Sequence, residues 1–126
     1  MQLLDLPQTR TTPLVHFAPE TRTLTLKGES YPENSFQFFE PILSWVDYLL
    51  AERHEPITIA VDMPYMNSSS TKCMLDLLDR FEDAYRRGQP ILLHWSYDPD
   101  NGRALDLADE FREEVTFPFE TVAARG

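Results

Sequence analysis

"VDMPYMNSSSTKCMLDLLDR" (61–80) decides how the chain is read, because it passes from an apolar strand through a polar turn into an amphipathic helix. The run "PITIAVDM" (56–63) ahead of it is short, apolar and β-branched, which predicts a buried parallel strand. Behind it, Met74, Leu77, Leu78, Phe81 and Tyr85 repeat at helical spacing. They predict a helix from about Ser69 to Arg87, ended by Gly88. Between the two lie four consecutive hydroxyl residues, Ser68 to Thr71.

The same alternation of strand and helix extends in both directions. Towards the N-terminus, "PLVHFA" (13–18) and "RTLTLKG" (22–28) alternate on either side of "PET" and predict an antiparallel hairpin. The polar loop "ESYPENS" (29–35) offers Asn34 or Ser35 as a helix cap. A helix with a wide apolar arc follows, with one stripe of Phe36, Phe39, Leu43, Val46 and Leu50. Phe38, Ile42, Trp45 and Leu49 form a second stripe beside it. Pro41 is expected to kink this helix or to mark its first turn.

Towards the C-terminus, "PILLHWSY" (90–97) reads as another buried strand. "DPDNG" (98–102) is a turn, and a helix to about Glu114 puts Ala104, Leu107, Ala108 and Phe111 on one face. "VTFPFETV" (115–122) closes as an edge strand, since Pro118 cannot serve a central ladder. The order β-β-α-β-α-β-α-β implies one mixed sheet of four to five strands in an α/β domain spanning 1–126, with residues 1–11 as a loose arm.

Composition narrows the function classes. A hydrophobic fraction of 42% over 126 residues supports a packed core rather than disorder. Cys73 is the only cysteine, so no intrachain disulfide can form. The acids outnumber the bases by 21 to 11, a net charge of −10 that repels nucleic acid and anionic lipid. Arg86 and Arg87 are too small a patch to reverse that. The N-terminus lacks a signal-peptide pattern and no stretch has membrane-span length, which points to the cytoplasm.

No metal or cofactor site is expected. His16, His54 and His94 have no ligand-like spacing. The "DPDNG" turn fails as a calcium loop, because its sixth position is Arg103 and its twelfth Asp109. No P-loop precedes Lys72, and no glycine shapes a nucleophile elbow at Ser68. A small hydrolase using Ser68 remains only as an alternative. From the residues alone the hydroxyl cluster is best read as a helix cap by Asn67 or Ser68, worth about 1 kcal/mol. A phosphate on that turn is the second reading, since a helix N-terminus tolerates negative charge.

The turn resembles the phospho-acceptor turn of STAS domains, the fold of anti-anti-sigma factors. An aromatic, an aliphatic residue, Asp and the acceptor stand there; Tyr65, Met66, Asn67 and Ser68 occupy those places. Asn67 departs from the Asp and Ser70 from a usual Gly. The blocks "GESYPEN" (28–34), "MNSSSTK" (66–72), "LDLLD" (75–79), "HWSYDPDN" (94–101) and "ADEFREE" (108–114) are more specifically similar to the SiaC family of bacterial regulatory phosphoproteins, whose fold is STAS-like.

That resemblance implies a non-enzymatic partner switch. A cognate kinase phosphorylates the turn and a PP2C-type phosphatase reverses it. The unphosphorylated form binds and activates a diguanylate cyclase, raising cyclic di-GMP and promoting biofilm. It implies Ser68 as acceptor, where the family typically has Thr, with Ser69, Ser70 and Thr71 as fallbacks and Asn67 as support. Tyr31, Pro32, Glu33, Asn34, Tyr65, Met66, Tyr97, Asp98, Asp100 and Asn101 are the implied partner surface. An anti-anti-sigma factor acting on an anti-sigma kinase is the alternative within the same fold.

Overall fold

The computed structural model describes residues 4–52 and 55–124. Its order is β1 (Asp5–Leu6), β2 (Leu14–Ala18), β3 (Thr23–Lys27), α1 (Ser35–Glu52), β4 (Ile57–Asp62), α2 (Ser68–Arg86), β5 (Ile91–Tyr97), α3 (Ala104–Arg112) and β6 (Phe119–Ala123). The strands form one sheet in the order β1-β2-β3-β4-β5-β6. The first three are antiparallel neighbours, and β3 to β6 run parallel.

Each parallel crossover steps one strand in the same direction. Right-handed crossovers in such a series place every helix on the same face. Burial agrees: Leu24, Leu26, Ile57, Ile59, Val61, Ile91, Leu93 and Trp95 are buried. Their alternates Thr58, Ala60, Leu92 and His94 are only half-buried. This corrects the expectation of strands buried on both faces. The apolar runs of β4 and β5 hide an alternation, because Ala60 and Leu92 stand on the uncovered face.

A second correction concerns the N-terminus. Four to five strands were expected, and six are present because the supposed loose arm supplies β1. Asp5 pairs with His16 and Leu6 with Val15. Leu4 is buried, and the Tyr31 N–H donates to the Thr11 carbonyl (2.8 Å). Gln8 packs over Gly28, where φ is +120° and a Cβ would lie 2.9 Å from the Gln8 side chain. Two residues are too few to show a strand pattern, so the arm reads as coil.

Three smaller differences have local causes. Helix α1 begins six residues before Pro41 and continues through it, so Pro41 does not mark the first turn. Asn34 is the cap: its Oδ1 accepts the Gln37 N–H (3.1 Å). The two apolar stripes merge into one buried line of Phe39, Ile42, Val46, Leu49 and Leu50, leaving Phe36 57% exposed. Helix α2 starts at Ser68, one residue early, and Gly88 turns the chain at φ +105°. Helix α3 stops at Arg112, and His54 lies outside the described residues.

One buried acid fastens the last connection. The Glu82 carboxylate accepts the Thr116 N–H (2.7 Å), the Thr116 hydroxyl (2.6 Å) and Arg86 Nε (2.8 Å). Burial pushes its pKa up, but the bonds from Thr116, Arg86 and the Phe117 N–H outweigh this and hold it below the usual range. A depressed carboxylate contributes stability above its unfolded pKa, about 4.3, and loses it as pH falls through the lower folded value. Urea melts are therefore expected to weaken below about pH 4, and Glu82→Gln to flatten that acid limb.

Candidate functional site

The site lies at the C-terminal ends of β3, β4 and β5, where three loops meet. The strand pairing of β3 with β4 continues past both strands. The Gly28 N–H donates to the Asp62 carbonyl (2.9 Å), the Ser30 N–H to Tyr65 (3.0 Å) and the Asn67 N–H to Ser30 (2.9 Å). Ser30 and Met66 thereby form an isolated parallel bridge. This zips "SYPEN" against the turn, and the Tyr31 and Tyr65 rings meet edge to face at 6.0 Å.

Asn67 is the cap of α2, in extended conformation, and its Oδ1 accepts the Ser70 N–H (2.9 Å). Around it stands a hydroxyl network drawn from three segments. Ser70 Oγ lies 2.8 Å from Ser30 Oγ and 3.0 Å from Ser35 Oγ. Ser69 donates to Ser35 (2.8 Å), and Ser35 is within 3.3 Å of Asn67 Oδ1. One proton assignment satisfies all four serines: Ser30 donates to Ser70, Ser70 to Ser35, Ser69 to Ser35, and Ser35 to Asn67. Ser30, Ser35 and Ser70 are each at most 1% exposed.

The four hydroxyls of the turn thus differ. Ser70 is sealed in the core. Ser69 is half-buried and bonded to Ser35. Thr71 is half-buried and donates to the Asn67 carbonyl (3.1 Å). Ser68 is exposed, and among the described residues its hydroxyl has no hydrogen-bond partner. Neither α1 nor α2 carries an acid in its first turn, so the positive ends of both helices reach this spot uncompensated.

The third loop is "YDPDN". Asp98 Oδ1 accepts the Asp100 N–H (2.9 Å), and Asn101 Oδ1 accepts the Arg103 N–H (3.1 Å). A crevice of about 380 Å³ separates this loop from Asp62, Met63 and Pro64. A second, of about 520 Å³, runs from Tyr65 and Met66 to Asn101 and Leu107. Glu33, Asn34, Tyr65, Asp98, Asp100 and Asn101 are exposed here, while Tyr31, Pro32 and Tyr97 are half-buried. Met66 is buried and lines the second crevice from below.

Sequence reasoning missed Ser30, read Ser35 only as a possible helix cap, and placed Phe36 in an apolar stripe although it is exposed beside them. Isolated serines in a loop and a helix start carry no signal until the loop is seen to pair with the turn. The described histidines are engaged elsewhere, His16 with Asp5 (3.3 Å) and His94 with Glu120 (3.2 Å). Among the described residues no cluster of ligand-type side chains could hold a metal ion, and no helix is long and apolar enough to cross a membrane. Removing the cap tests the network: Asn67→Ala is expected to cost about 1–2 kcal/mol in urea unfolding.

A mixed sheet with its helices on one face, and a hydroxyl turn between a central strand and a helix, define a STAS-like regulatory domain. The model of the SiaC family regulatory phosphoprotein matches residues 6–124. The chain belongs to that family. It is 40% identical over 119 residues to an uncharacterised protein of Pseudomonas aeruginosa strain UCBPP-PA14, covering 94% of each chain.

Solved structures agree. SiaC of Pseudomonas aeruginosa is 39% identical, with a TM-score of 0.92 over 98% of this chain and 100% of that one. The apo-SiaC crystal structure from the same organism gives 0.93 at 39% identity over the same shares. A chain in the crystal structure of the Pseudomonas aeruginosa diguanylate cyclase SiaD with its activator SiaC gives 0.92 at 40% identity, covering 96% of this chain and 99% of that one.

Proposed function

We propose that this chain is a phosphorylation-controlled activator of a diguanylate cyclase, with Ser68 as the acceptor. One observation carries the assignment within the turn: Ser68 alone of the four hydroxyls is both exposed and free of hydrogen bonds. A kinase must bring a hydroxyl into its own active site. Ser70 is inaccessible, and Ser69 and Thr71 must first break bonds that hold the turn.

The unmodified chain binds the cyclase through Tyr65 and the "SYPEN" and "YDPDN" loops, with Met66 supporting them from beneath. A phosphate at Ser68 stays compatible with the fold, because the first-turn N–H groups of α2 can bond it. It places nearly two negative charges beside that surface and releases the cyclase. A PP2C-type phosphatase restores the binding form. Cyclic di-GMP output, and with it biofilm formation, follows the dephosphorylated fraction. The protein works in the cytoplasm, where its kinase and cyclase find their nucleotide substrates.

The test is cyclase stimulation. Wild-type and Ser68→Ala chains should both bind and stimulate the cyclase, and only wild type should lose this on treatment with the cognate kinase and ATP. Loss of stimulation in untreated Ser68→Ala, with the fold intact, counts against the assignment, as does equal inhibition of both chains by the kinase.

A further inference from the structure

The outer edge of the sheet, β6, has hydrogen-bonding groups that nothing described in this chain uses. Two bonds fix which groups these are. Leu93 N–H donates to the Pro118 carbonyl (3.0 Å), and Ala124 N–H donates to Tyr97 (2.7 Å). With Leu93 opposite Phe119 and Tyr97 opposite Ala123, the parallel ladder uses the N–H and C=O of Glu120 and Val122 inward. Those of Phe119, Thr121 and Ala123 therefore point outward. This edge is five residues long and has no proline or bulge within it, and Glu120 is its one charged residue among the features that usually prevent pairing. The opposite edge, β1, has only two residues.

We propose that β6 is a homodimer interface, in which two copies pair antiparallel about a two-fold axis at Thr121. The strand "FETVA" is complementary to itself in that register. Each Thr121 exchanges both main-chain bonds with the same residue of the second copy, and the large Phe119 faces the small Ala123. Glu120 faces Val122, which is 44% exposed in the free chain, so no like charges stand directly opposite. Glu120 also lies 3.2 Å from His94 Nδ1 on its own sheet. The two sheets become one of twelve strands. The Ser68 turn, between β4 and α2, stays away from the join, whereas the crevice under the "YDPDN" loop borders it at Ala124.

The interface is small, so association should be weak, appearing between about 10 µM and 1 mM. It should strengthen with salt, because each copy carries a charge of −10. Sedimentation equilibrium on the full chain tests it. Thr121→Pro removes an outward N–H and no intramolecular bond, so it should leave the fold intact by circular dichroism and abolish the dimer. Val122→Lys creates two Lys–Glu120 cross-strand pairs and should tighten the dimer, whereas Val122→Glu should loosen it, each by roughly 2- to 30-fold. The proposal is overturned if wild type stays monomeric to about 1 mM, which would leave the edge to a strand of another protein. It is also overturned if folded Thr121→Pro dimerises as wild type does, or if the two Val122 variants shift association in the same direction. Should Thr121→Pro fail to fold, the Val122 pair decides.

Discussion

Chain carrying a phosphate on Ser68 is expected to bind its cyclase at least about 100-fold more weakly than unmodified chain. The added charge is nearly −2, on a protein already at −10. The Ser68 hydroxyl faces solvent, so a phosphate there reaches the partner rather than the core. Two unit charges about 4 Å apart interact by roughly 4 kcal/mol at an effective dielectric near 20. Imperfect compensation of two such charges at a closed interface is then enough for two decades of affinity. Calorimetric titration of the cyclase with each form measures this directly, and equal affinities would contradict it. The phosphorylated chain should keep its melting temperature within a few degrees, because the free N–H groups of the α2 first turn receive the charge.

The largest stability loss is expected from Trp95→Ala. Trp95 is 1% exposed and lies stacked with Phe111 (5.0 Å, 25°) and Phe119 (5.9 Å, 20°). It therefore joins β5, α3 and β6 at one point, and it lines the crevice below the "YDPDN" loop. Truncating a buried Trp removes its transfer energy and leaves a cavity, about 3–5 kcal/mol in all. Against a total stability of about 5–15 kcal/mol, that is a large share. The melting midpoint should fall by roughly 10–25 °C. Phe36→Ala is the matched control: it removes an exposed ring and should move stability by no more than about 0.5 kcal/mol. A Trp95→Ala chain as stable as that control would mean the stack contributes little.

Most of the fold was legible because its signals are local. The Met74–Leu77–Leu78–Phe81 stripe, the β-branched run before it and the Gly88 stop need only neighbouring residues. What escaped depends on distant pairing. Asp5–Leu6 is a strand only because His16 and Val15 lie beside it. Likewise, the one-sided burial of β4 and β5 follows from the sense of three crossovers and not from their own residues. The site shows the same division. The turn itself offers Asn67 or Ser68 as the cap, of which the structure selects Asn67, and Ser68 stands out in the sequence only through the family resemblance. Ser30 and Ser35 enter only because the "SYPEN" loop extends the β3–β4 ladder across more than thirty residues of sequence, and they are what separates Ser70 from Ser68.

Peptide mass mapping after treatment with the cognate kinase and ATP tests the central claim most directly. The account expects one phosphate on Ser68 and none on the sealed Ser70, with modification lost in Ser68→Ala. Phosphate on Ser69, Ser70 or Thr71 instead, or on none of the four, would contradict it.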